Sequence, residues 1–265
     1  YPNYDEIAKY TGALYPYNME IFRDRLKKAG MSDQAKAFHQ ASGQWSLRLY
    51  KQDIEMDLRT PNMAGFQLLD LQDYPGQGSA YVGILDAFLD TKGMCTAEEW
   101  RGFCAPVVPL LIADKFCYTN DEILHADIQI ANYGEKSLKG KHVEWTLGEK
   151  SGTLTIATDE FGLINAGTLD IALNEYQQAT QLKLTLQVEG NTECNTYDIW
   201  VYPAENNLES LKKRVIITRT LTADIARRLE NGESVLLMPD ASEQTVGGLF
   251  QTDYWNYRMF KTISE

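Results

Sequence analysis

Apolar residues recur at helical spacing through the first hundred positions. Asp5 to Lys9 opens a short helix, and Asn18 is placed to cap a second over Met19 to Lys28. In that second helix Ile21, Phe22, Leu26 and Ala29 fall together, and Gly30 stops the run. Ser32 is placed to cap a longer helix to about Arg59, with Ala35, Phe38, Ala41, Trp45, Leu49, Ile54 and Leu58 as its stripe. Pro61 and Asn62 end it. Thr96 followed by Glu99 predicts a capping box for a helix carrying Trp100 and Phe103. Between these helices, Phe66 to Leu71 predicts a single strand, so residues 1–105 read as helix, strand, loop, helix.

From about Pro106 the period falls to two. The segments 124–134, 142–147, 153–156, 168–173, 182–188 and 197–202 alternate apolar and polar residues, with Gly, Asn or Asp in most of the gaps. Several short alternating strands at this spacing predict an antiparallel β-sandwich of immunoglobulin-like size over residues 106–204. The grammar then changes again. Arg214 to Thr218 and Ser234 to Met238 predict strands flanking a helix from Ala223 to Glu230, capped by Thr222 and closed by Asn231-Gly232. That is one β-α-β unit, for which a parallel pair is expected, in a small α/β module over 205–265.

The segment Gly65 to Gly78 is the richest in chemistry. Its apolar run meets Asp70, Gln72 and Asp73 and stops at Tyr74-Pro75-Gly76-Gln77-Gly78. In a regular strand Asp70 and Gln72 would share one face, and Leu69, Leu71 and Asp73 the other. A carboxylate at the end of a buried strand needs a hydrogen bond, a ligand or water. The glycines after it let the backbone turn tightly. This pattern fits a ligand-binding rim and equally a buried strand whose acids cap neighbouring loops.

Composition narrows the classes. The 265 residues carry 37 acidic against 25 basic side chains, a net charge of −12. That excess argues against a nucleic-acid partner, which needs Lys and Arg to neutralise phosphates. No apolar segment reaches the roughly twenty residues that span a bilayer, so no membrane partner is expected. Cys95, Cys104, Cys117 and Cys194 and the scattered His39, His125 and His142 follow no metal or redox spacing, so neither a metal nor a cofactor is expected. Gly247-Gly248 lacks a phosphate-loop context, and Ser234, Ser242 and Cys104 lack an adjacent base. Trp255, Tyr254 and Tyr257 suit packing of the tail better than a sugar platform. Asp70 and Asp73 make no catalytic pair, because a barrel enzyme draws its two carboxylates from different strands.

Taken together, the order of modules resembles the back end of a glycoside hydrolase family 2 protein, the family of β-galactosidases and β-glucuronidases. Phe66 to Tyr74 resembles the last strand of that family's (β/α)8 barrel, which reads G-x-x-x-W-[DN]-[FW]-x-D. Asp70 and Asp73 match its acidic positions, while Leu69 and Leu71 stand where the family carries aromatic residues. The run Phe66 to Phe88 is similar to large family 2-like proteins of carbohydrate-degrading gut bacteria.

The resemblance implies that residues 1–105 form the incomplete C-terminal end of a (β/α)8 barrel, whose remainder is their partner. It also implies that the catalytic Glu pair lies upstream and that this chain is inactive alone. Asp70, Gln72, Asp73 and Tyr74 are the substrate-contact residues it implies, for a β-linked glycan. Export of the parent protein is a further implication. A non-catalytic carbohydrate-binding, spacer or homo-oligomerisation module is the competing expectation.

Overall fold

A computed structural model describes residues 1–74, 81–204 and 214–240. The chain divides into two compact units, Tyr1–Tyr202 and Pro203–Glu265. The Pro75 to Gly78 loop, Ser242, Gly247-Gly248 and the aromatic tail lie outside the described residues.

The larger part of the first unit is a β-sandwich. Its strands are β1 (Val107–Ile112), β2 (Cys117–Thr119), β3 (Ile123–Asn132), β4 (His142–Leu147), β5 (Lys150–Thr155), β6 (Gly162–Ala172), β7 (Thr180–Val188) and β8 (Cys194–Tyr202). One sheet runs β1-β3-β6 and the other β2-β8-β7-β4-β5. All pairs are antiparallel except β2 with β8. Alternation along the strands sends one row inward from each. Leu124, Ala126, Ile128 and Ile130 of β3 meet Leu182, Leu184, Leu186 and Val188 of β7 in one buried core with Ile199 and Val201.

Two strands were not legible in the alternation. β2 has three residues, and β1 is a continuous apolar run broken by Pro109. The proline is tolerated because β1 is a sheet edge, bonded only to β3, so its missing N–H interrupts no second ladder. The outer side of that edge is covered by side chains from β8. Asn195 Nδ2 donates to the Pro109 carbonyl at 2.9 Å, and the Leu111 N–H donates to Tyr197 Oη at 3.1 Å.

The helical segment packs on this edge. A 3-10 helix (Tyr4–Lys9) leads to α1 (Tyr17–Lys28), α2 (Ala35–Leu58) and α3 (Ala97–Phe103). The capping box of Thr96 and Glu99 is formed in full. The N-caps expected at Asn18 and Ser32 are not. α1 begins at Tyr17 after Pro16, and Asn18 instead donates to Tyr81 Oη. Ser32 opens a 3-10 turn, Ser32–Gln34, ahead of α2.

The single stripe expected on α2 is also corrected. From Leu49 to Ile54 is five residues, which turns the helix by about 140°. Ile54 is therefore buried while Trp45, Leu49 and Met56 lie exposed on the opposite face.

Glu55, 1% exposed, is the joint between α2 and the sandwich. Its Oε1 accepts from Lys51 Nζ at 2.6 Å, Asn195 Nδ2 at 2.8 Å and Tyr197 Oη at 2.9 Å. Its Oε2 accepts from Arg59 Nη2 at 2.7 Å, and Arg59 also donates to the Leu111 carbonyl at 3.0 Å. Burial and then the Glu55 charge push the Tyr197 phenol well up, so it stays a neutral donor. α3 docks beside them by backbone approach: a Cβ on Gly102 would stand 2.4 Å from the Cys194 carbonyl oxygen.

In the second unit, β9 (Ile216–Thr218), α4 (Ala223–Glu230) and β10 (Val235–Leu237) form the expected β-α-β order, and the two strands pair in parallel. Thr222 caps α4 through its hydroxyl, which accepts from the Ile225 N–H. Among the described residues, no helix is long and apolar enough to cross a membrane.

Candidate functional site

The segment that carried most of the expected chemistry is not a strand. Residues 66–71 have no ladder; Leu69 is 82% and Leu71 50% exposed, so they form no buried face opposite Asp70. A strand needs a neighbour for its N–H and C=O groups, and among the described residues only Leu85 bridges to this segment. Gln72 makes an isolated parallel bridge with Leu85, which bridges onward to Thr91. The Asp73 N–H donates to the Leu85 carbonyl and the Leu85 N–H to the Leu71 carbonyl, both at 3.1 Å.

That small crossing is enough to bury Asp73, 3% exposed. Its Oδ1 accepts from Lys92 Nζ at 2.6 Å and from the Gly83 N–H at 3.0 Å. Lys92 spends its other protons on the Gly83 carbonyl at 2.8 Å and the Tyr81 carbonyl at 3.4 Å. Gly83 must be glycine here, since an added Cβ would stand 2.3 Å from the Gln72 carbonyl carbon. Burial raises the Asp73 carboxyl, and the Lys92 charge and hydrogen bond and the Gly83 N–H oppose it.

Asp73 lines a cleft of about 50 Å³ with Tyr10, Leu14, Tyr15, Asn18, Tyr74 and Tyr81. Four tyrosines thus stand around one buried carboxylate. Asp73 Oδ2 has no hydrogen bond among the described residues, which leaves an acceptor for a ligand hydroxyl. Burial raises the phenols of Tyr10 and Tyr81, so both stay neutral donors. Of the four expected contact residues, the structure brings Asp73 and Tyr74 to the cleft. Asp70 and Gln72 are half-buried beside it and do not line it. Tyr50 Oη gives its one proton to the Val82 carbonyl at 2.6 Å and stands 3.4 Å from the Asp70 carbonyl.

Two more carboxylates of the helical segment, Asp86 and Glu6, are buried without lining the cleft, and neither stood out in the sequence. Asp86, 2% exposed, accepts from Lys9 and from the N–H groups of Phe88 and Asp90 at 2.8 and 2.9 Å. Burial pushes its carboxyl up, but Lys9 and the two backbone donors outweigh that and leave it below its ordinary value. Glu6 is 3% exposed, and its Oε2 has no hydrogen-bond partner among the described residues. Burial, then the charges of Asp73 and Asp86, raise its carboxyl to about 7. Among the described residues no cluster of His, Cys, Asp and Glu could hold a metal.

The chain is thus a modular β-rich protein whose first unit holds a sandwich and, within its helical segment, a tyrosine-lined cleft. A domain of unknown function, DUF8488, matches residues 122–203, and a second, DUF8487, matches residues 216–265. No curated protein matches. The CARDB domain of a Pyrococcus furiosus protein, solved by NMR, is similar over 37% of this chain and 94% of its own, at 11% identity and a TM-score of 0.27. Human titin ZIg10 is similar over 38% and 80%, at 13% identity and a TM-score of 0.24. An endo-β-1,4-mannanase from Thermotoga petrophila is similar over 37% of this chain and 20% of its own, at 10% identity and a TM-score of 0.27. Likenesses this low say nothing of what the chain does.

Proposed function

We propose that this chain is the C-terminal part of a glycoside hydrolase family 2-like β-glycosidase. In it, residues 1–105 complete a barrel and contribute one wall of the substrate cleft, and the sandwich, of immunoglobulin-like kind, supports them. The observation that carries this reading is Asp73: a buried carboxylate, fixed by Lys92 and Gly83, whose second oxygen has no hydrogen bond among the described residues, in a cleft of tyrosines. Sugars are bound by such pairs, acceptors for hydroxyls and aromatic faces for the apolar side of the ring. The exposed apolar residues Trp45, Leu49 and Met56 on α2 further support it, as the surface that a helix of a barrel would turn toward further elements. Asp73 acts here in positioning and contact, with the catalytic carboxylates on the remainder of the barrel.

Calorimetric titration of the chain with methyl β-galactoside and methyl β-glucuronide tests this. Binding on the order of millimolar is expected, lost in Asp73→Asn and weakened in Tyr74→Ala. Binding that persists in both variants moves carbohydrate recognition elsewhere on the chain. Turnover of aryl β-glycosides by the purified chain, or no binding of either sugar, overturns the proposal.

A further inference from the structure

The wall of the cleft carries charge of one sign. Asp73 is its charged side chain, and among the described residues no Lys, Arg or His lines it. The ammonium group bonded to Asp73, that of Lys92, is buried and commits its three protons to Asp73, Gly83 and Tyr81. Arg23 on α1 is paired with Glu20 Oε1 at 3.4 Å, which also accepts from the Tyr15 hydroxyl at 2.8 Å. An anion entering the cleft would therefore meet a carboxylate and no cation in the wall.

The same wall offers an acceptor and a donor. Asp73 Oδ2 has no hydrogen bond among the described residues. Nor is it sealed away: the buried side-chain atoms without a partner there belong to Glu6, Arg59 and Tyr176. Of the four tyrosines around the cleft, Tyr15 spends its proton on Glu20, whereas Tyr81 has its hydroxyl fixed with the proton unspent. Tyr81 Oη accepts from Asn18 Nδ2, and its own proton bonds to no acceptor among the described residues. Lys92 Nζ ties the two residues together, 2.6 Å from Asp73 Oδ1 and 3.4 Å from the Tyr81 carbonyl. Both face a space of about 50 Å³, so hydroxyls of one sugar ring reach both. A hydroxyl suits this pair because it donates to a carboxylate and accepts from a phenol. A carboxylate cannot donate, and an ammonium cannot accept.

We propose that the cleft selects neutral glycosides over uronides, with Asp73 Oδ2 accepting from one ligand hydroxyl and Tyr81 Oη donating to another. The inference rests on the reading of the cleft as a glycoside-contact wall. It makes Tyr81 a specificity-determining contact residue beside Asp73, and Asn18 the residue that positions it. Asp73 bears the discrimination, because the ammonium that balances it is buried and fully bonded and cannot turn to a ligand anion.

Calorimetric titration of the whole chain tests this with probes that differ only at C6: methyl β-galactoside, methyl β-galacturonide and methyl β-galacturonamide. The galacturonide should bind at least about tenfold more weakly than the galactoside, and the uncharged galacturonamide should recover the galactoside's affinity. Tyr81→Phe, which keeps the ring and removes only the hydroxyl, should weaken galactoside binding about tenfold. A galacturonide that binds as well as the galactoside overturns the inference and leaves the glycoside reading intact. A galacturonamide as weak as the galacturonide makes shape the cause and overturns it equally. Unchanged galactoside binding by Tyr81→Phe removes the donor from the contact and also overturns it. Should that variant fail to fold, the probes decide on the wild type. No binding of any probe overturns the inference and the glycoside reading together.

Discussion

Replacing Glu55 by alanine removes the buried carboxylate through which α2 accepts from the sandwich. Four donors converge on it at 2.6 to 2.9 Å, from Lys51, Arg59, Asn195 and Tyr197. Asn195 is 1% exposed and Tyr197 6%, so neither can turn to water. Removing one partner of a buried ion pair costs about 3–5 kcal/mol. Lys51 and Arg59 keep 23% of their side-chain surface exposed, which lets them regain some solvent and places the loss near about 3 kcal/mol. With a urea slope of about 2–3 kcal/mol per molar, the unfolding midpoint should fall by about 1–1.5 M. Urea titration followed by both far-ultraviolet circular dichroism and tryptophan fluorescence measures this, and the two signals should fall together in the wild type. A midpoint change below about 0.2 M would refute the argument, since the bonds to Glu55 would then be worth no more than an exposed pair.

Three further outcomes follow from the same structure. Glu6 binds its proton more tightly folded than unfolded, so stability should fall as pH rises from 4.5 to about 7, by about 3 kcal/mol, and hold level above that. Glu6→Gln should flatten this profile in urea titrations at stepped pH, and an unchanged slope would refute it. Gly102→Ala should destabilise by about 1–3 kcal/mol despite alanine's better helix propensity, because its Cβ meets the Cys194 backbone; a stabilised variant in thermal melts would contradict that. His125 is held above its ordinary value by a hydrogen bond to Asp170, so its NMR titration should move down in Asp170→Asn. The stability it lends is present below pH 6.5 and lost as pH rises through the raised value.

The sandwich was legible because each inward residue has an outward polar neighbour, as in Leu124-His125-Ala126-Asp127-Ile128. β1 escaped because its face toward α2 is covered too, which removes the alternation, and Pro109 interrupts the run. α2 was legible as a helix but its faces were not, since apolar residues stand both where it meets the sandwich and where it is bare. At the cleft, Asp73 and Tyr74 could be singled out because they close an apolar run before a glycine loop. Lys92 and Glu6 could not. Their roles come from Leu85 crossing Gln72 and from a carboxyl oxygen with no hydrogen-bond partner among the described residues, and neither leaves a mark in local sequence.

The claim that Asp73 belongs to a sugar-contacting cleft is tested most directly by the Gly83 amide, which donates to its Oδ1. Methyl β-galactoside or methyl β-glucuronide added to labelled chain at pH 6 should shift that resonance saturably, together with signals of Tyr74 and Tyr81. Saturable shifts confined to the strands of the sandwich, or none at the Gly83 amide with either sugar, would contradict it.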